Sequence, residues 1–110
     1  MPFYLYQASY TPEAIKAMIE KPQDREAAAG KLIESLGGKL HHLFFAFGKS
    51  DIVTLIELPD DKAMVAGAML VAGSGAISSG STTKLVSAKD AMEAMSVAAK
   101  SSGAYKPATS

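Results

Sequence analysis

The chain's only two imidazoles, His41 and His42, are adjacent within the aliphatic and aromatic run KLHHLFFAF of residues 39–47. Neighbours on a regular strand point to opposite faces, so this pair cannot grip one metal ion together. Parity groups His41 with Leu43, Phe45 and Phe47, the expected core side. His42 falls with Phe44 and Ala46 on the open side. There an imidazole can act as a general base or as a donor to a ligand. It can equally be a half-exposed histidine near a strand end. No carboxylate or further histidine stands at metal-binding or acid–base spacing, so no metal and no cofactor is expected.

Glu57 is the lone carboxylate in the run IVTLIEL of residues 52–58. Facing the open side it would be a perturbed acid or base; at the strand's end it would be a solvated edge residue. Asp51 follows the turn Gly48-Lys49-Ser50-Asp51. It can present a carboxylate at the mouth of a cleft, or accept hydrogen bonds from the turn's own amides. Gln7 and Ser9 share the parity of Phe3 and Leu5. They can orient a small ligand, or pair with Glu57 across neighbouring strands. His42, Glu57, Gln7, Ser9 and Asp51 are therefore the ligand-binding candidates.

Other chemistries are excluded or unsupported. The chain has no cysteine, which removes disulfides, thiol nucleophiles and thiolate metal sites. The Walker lysine and the dinucleotide fingerprint are both missing. No Ser-His-Asp grouping stands out. Basic and acidic residues number 11 each, which argues against a nucleic-acid surface. Arg25 is the sole arginine. The apolar stretch from Ala63 to Ala72 is too short to span a bilayer, which needs about 20 residues. No basic-then-apolar leader precedes the first strand, so the expected compartment is the cytoplasm.

These candidates need a scaffold, and the remaining residues specify one. Residues 3–10 alternate as a strand with Tyr4, Tyr6, Ala8 and Tyr10 on the core face. Thr11-Pro12-Glu13 starts a helix, Pro22 interrupts it and Asp24 caps it anew. Gly37-Gly38 ends it. Residues 39–47 and 52–58 form a hairpin about the turn at 48–51. Asp60-Asp61 open a helix to about Ala72, closed by Gly73-Ser74-Gly75. Residues 76–86 make a fourth strand whose serines and glycine suggest an edge or a bulge. Ser87 caps a last helix with Met92, Met95 and Ala99 on its expected buried side. The domain is taken as residues 1–100, with 101–110 a polar tail anchored by Tyr105.

The order β-α-β, hairpin, β-α-β predicts a ferredoxin-like α+β sandwich: a four-stranded antiparallel sheet with helices on one face, plus a C-terminal helix. The other face, carrying Phe3 and Leu5, is left bare, and monomers seldom expose such a patch. The helix after Asp60 is apolar all round, so it is expected to be buried all round. Both features predict a homodimer or higher oligomer.

Several segments together resemble the GYD domain family: Tyr10-Thr11-Pro12-Glu13, Gly37-Gly38-Lys39, Gly48-Lys49-Ser50-Asp51, Glu57-Leu58-Pro59-Asp60-Asp61 and Thr82-Thr83-Lys84-Leu85. The likeness spans most of residues 3–105. It departs at Ser50, where the family's namesake tyrosine would stand. The resemblance implies the dimeric α/β-barrel superfamily, in which two open sheets face each other. It supplies no activity, because that fold hosts many functions. A similar turn occurs in effector domains of leucine-responsive regulators, which bind amino acids between subunits. Three functions follow as expectations: a small-molecule binding or regulatory module, a cofactor-independent enzyme of monooxygenase-like or isomerase-like type, or a purely structural assembly protein.

Overall fold

The computed structural model describes residues 1–109. The elements are β1 (Phe3–Tyr10), α1 (Pro12–Glu20), α2 (Arg25–Ser35), β2 (Lys39–Phe45), β3 (Ile52–Glu57), α3 (Asp61–Gly73), β4 (Ile77–Leu85) and α4 (Ala88–Ser101), then a short 3-10 helix at Ser102–Ala104. The helix starts follow from side chains that satisfy the first free amides. Thr11 Oγ1 accepts from the Ala14 amide, Asp24 from Ala27, Asp60 from Ala63 and Ser87 from Asp90. Pro22 separates α1 from α2 because it cannot continue the amide ladder. Gly37 takes φ 87° at the end of α2, which a glycine adopts at no steric cost.

The four strands form one antiparallel sheet in the order β2-β3-β1-β4. This is the α+β, ferredoxin-like arrangement that the alternating elements predict. β4 is indeed an edge strand, with a register shift against β1 at Ser9/Tyr10. The core lies between the sheet and the helices: Tyr4, Tyr6 and Ala8 of β1, Ile52 and Ile56 of β3, with Leu58, Ile33 and Met64. Thr54 is the one buried polar residue of the core, and its hydroxyl donates to the Tyr6 carbonyl at 2.9 Å. Among the described residues, no helix is long and apolar enough to cross a membrane.

Four expectations are corrected. The strand β2 ends at Phe45, and Phe47 stands fully in solvent rather than in the core. α3 is buried on one side only; Val65, Met69 and Leu70 are exposed. α4 does not cover them. It packs substantially only on the 3-10 helix that follows it, and Met92, Met95 and Ala99 are exposed. Tyr105 is likewise exposed and anchors nothing. The consequence is an elongated molecule, 60 × 32 × 22 Å, with a radius of gyration of 17.9 Å. A compact domain of this length would have a radius of about 13 Å. Helical periodicity correctly marked one side of α4 as apolar, but periodicity cannot say what that side meets.

Candidate functional site

Two regions hold side chains able to do chemistry. The first is the open face of the sheet. Cross-strand register sets Phe3 opposite Glu57 and Leu85, Leu5 opposite Leu55 and Thr83, and Gln7 opposite Val53 and Ser81. In the neighbouring pair, β2 carries a β-bulge against β3: Leu40 opposes Ile56 and His42 opposes Leu55, leaving His41 as the extra residue. Two residues then oppose one, and strict alternation breaks. His41 consequently leaves the core side that parity assigns it. Its Nε2 lies 2.9 Å from Glu57 Oε1, and its ring sits 5.2 Å from that of Phe3. His42 remains on the open face, exposed, with its ring 5.7 Å from Phe44 in a stacked arrangement.

Both imidazoles thus share the open face after all, although no group of three metal-ligating side chains forms among the described residues. The chemical unit is His41–Glu57. A carboxylate holding one ring nitrogen fixes the tautomer and presents the other nitrogen outward. Single-strand parity does not contain this pair, because the bulge that creates it depends on pairing with β3.

The other candidates separate. Gln7 and Ser9 lie on the open face as expected, but Gln7 faces Val53 and neither residue meets Glu57. Ser9 instead makes a long hydroxyl contact, 3.5 Å, to the Lys49 carbonyl. Asp51 is part of the turn's construction. Its Oδ2 accepts from the Tyr10 amide at 2.9 Å, its amide donates to the Ala8 carbonyl at 2.9 Å, and its carbonyl accepts from the Ala46 amide at 2.8 Å. These bonds tie the start of β3 to the end of β1. Gly48 has open space around it and no positive φ, so nothing local demands glycine there.

The second region is a cavity of about 240 Å³ between the sheet and helices α2 and α3. Its origin is geometric. α2 packs over β2 and α3 leans toward β4. The two helices approach at one end, where a Cβ on Gly67 would come 3.1 Å from Leu36 Cδ1. One wall is the α2 stripe Ala28, Ala29, Leu32 and Ile33; the other is Met64, Gly67, Ala68 and Val71 of α3; the floor includes Tyr6, Thr54 and Ile56. The exposed members Ala28, Leu70 and Ser74 mark the mouth. Polar residues are few: Tyr6, Tyr10, Thr54, Ser74 and Arg25. Burial pushes the Tyr6 hydroxyl above its ordinary pKa, with the neighbouring Tyr10 adding to the effect. None of His42, Glu57, Gln7, Ser9 or Asp51 lines this cavity.

A third polar cluster is structural. The Tyr4 hydroxyl donates to Asp61 Oδ1 at 2.5 Å, and Lys84 Nζ lies 2.9 Å from the same oxygen. Burial and then the Asp61 hydrogen bond push Tyr4 up to about 12, while the bonds from Tyr4 and Lys84 hold Asp61 below its usual range.

Among curated proteins, none matches the sequence. A crystal structure of MtbAldR superimposes with a TM-score of 0.54 at 14% identity, covering 78% of this chain and 52% of that one. The chain therefore spans about half the length of MtbAldR, and the likeness is one of fold. An uncharacterized NIPSNAP domain protein from Burkholderia xenovorans aligns with a TM-score of 0.46 at 13% identity, covering 80% of this chain and 95% of its own. The GYD domain family model matches residues 4–107, from the first core tyrosine to beyond the last helix. With that match running through the whole sheet and all four helices, this chain belongs to the GYD domain family.

Proposed function

We propose that this protein is an oligomeric small-molecule binding or regulatory module, and that its ligand occupies the cavity between the sheet and helices α2 and α3. The observation that carries the reading is an apolar space of about 240 Å³ left unfilled by the chain's own side chains. Interiors are otherwise close-packed, and a dry cavity of ~150 Å³ already accepts a benzene-sized molecule. A few polar groups among many apolar ones is the composition of a small-molecule site. A thermal-shift screen against metabolites tests this. A ligand that raises the melting temperature of the wild type and of His42→Ala, but not of a variant with the cavity filled, supports it. A ligand whose effect vanishes in His42→Ala and survives cavity filling would move the site to the open sheet face.

The oligomer is part of the proposal. Phe44 is 63% exposed on the bare sheet face beside half-buried Phe3, Leu5, Val53 and Leu55. A second copy placed sheet to sheet would cover that patch. Light scattering coupled to size exclusion should give twice the 11.5 kDa chain mass or more. A monomer at micromolar concentration contradicts it.

The His41–Glu57 pair favours a second reading, a cofactor-independent enzyme using the open face as one wall of its site. Its mark would be turnover abolished by Glu57→Gln and untouched by cavity filling.

A further inference from the structure

We infer that the cavity selects a small amphipathic carboxylate, with Arg25 at the mouth binding its head and the apolar walls of α2 and α3 taking its body. This rests on the cavity being the ligand site and goes on to name the ligand's chemistry.

Arg25 is the only arginine of the chain and the one charged side chain in the cavity lining. It stands one helical turn before Ala28, which marks the mouth. Among the described residues the guanidinium makes no ion pair. Its one side-chain partner is a neutral amide, Gln23 Oε1, at 2.7 Å. The other donors of its fork are left for something else.

Its position in the helix sharpens the point. Arg25 is the first residue of α2, and a helix start favours acidic residues and disfavours cations. Asp24 at the N-cap and Glu26 in the first turn flank Arg25, but each accepts from a backbone amide, Ala27 and Leu43, and neither forms an ion pair with it. An anion bound at Arg25 would meet the guanidinium, the start of α2 being capped already by Asp24. A planar guanidinium matches the two oxygens of a carboxylate. One such group balances one negative charge, so a monoanion fits better than a doubly charged phosphate. Behind the mouth the walls are aliphatic. Their volume of about 240 Å³ takes a body somewhat larger than one aromatic ring, since ~150 Å³ suffices for benzene. Tyr10 also lines the cavity, and its hydroxyl, without a hydrogen-bond partner among the described residues, is a second donor for the head.

The test is calorimetric titration of the full chain with three matched probes: phenylpropanoate, phenylpropanol and phenylpropylamine. The wild type should bind the carboxylate about tenfold or more tighter than the alcohol, the measure of a charge-assisted hydrogen bond, and the amine weakest. Arg25→Gln should erase that preference while leaving the alcohol's affinity within about twofold. Melting curves of Arg25→Gln establish that the variant is folded. Equal affinity for acid and alcohol in the wild type, both abolished by Ala29→Leu, would overturn the role of Arg25 while the cavity stands. A carboxylate preference that survives in Arg25→Gln overturns it too. No binding of any probe overturns both the inference and the site beneath it.

Discussion

Replacing Ala29 with leucine asks whether the space between α2 and α3 is real. Ala29 is half-buried in α2 and lines the cavity. A closed, dry cavity of about 240 Å³ would cost about 6 kcal/mol at about 24 cal/mol per Å³; an open mouth makes that an upper bound. Leucine adds three carbons that can fill part of it, and each buried methylene-sized group contributes about 0.8 kcal/mol. Ordering the new side chain takes back about 0.5–1 kcal/mol, and helix propensity barely changes. The net gain is about 1.5 kcal/mol, which in a domain of this size is a melting-temperature rise of roughly 6–12 °C. Differential scanning calorimetry of the ligand-free protein reads it directly. Ala72→Leu, on the exposed end of α3 and outside the cavity, is the control and should change little. The sign decides. A core already filled would be overpacked by the same substitution and lose about 1–3 kcal/mol, so a fall in melting temperature refutes the reasoning.

Two glycines should respond in opposite directions. A Cβ on Gly38 would sit 2.0 Å from the Glu57 carbonyl oxygen, a backbone atom that cannot swing aside, so Gly38→Ala should cost more than about 3 kcal/mol in chemical denaturation. Gly30, inside α2 with nothing within 4 Å of a Cβ, should gain about 0.5–1 kcal/mol as Gly30→Ala. Near-equal effects at the two positions would contradict the strand pairing. Tyr4 makes the fold sensitive to alkali: its folded pKa of about 12 exceeds the unfolded 10.0, so its contribution is whole below pH 10 and is lost as pH rises toward 12. Asp61 works on the acid side, where its lowered pKa means a contribution lost as pH falls below the unfolded value of 3.8. In Tyr4→Phe the alkaline loss monitored by circular dichroism should shrink; an unchanged profile would remove Tyr4 as its cause.

Much of the scaffold was legible because it is written locally. Thr11, Asp24, Asp60 and Ser87 each cap the helix that their type and position predict, and Pro22 breaks the chain where its missing amide requires. The alternation of Tyr4, Tyr6 and Ala8 identified the core face of β1. What failed to show was relational. His41 changed faces because of a bulge set by pairing with β3, and so the His41–Glu57 contact was invisible from parity. Met92 and Met95 formed a true apolar stripe on α4, yet the body of the chain does not receive it. The cavity lies between two helices and the sheet, and its lining of alanines and leucines carries no motif.

The most direct test of ligand binding in the cavity is a two-dimensional amide NMR titration of the full chain with phenylpropanoate. The account predicts shifts concentrated at Ala29, Leu32, Thr54, Ile56 and Ala68, the residues around the cavity. Shifts confined to Leu5, Gln7, His42, Val53 and Leu55 would place the ligand on the open sheet face and contradict it.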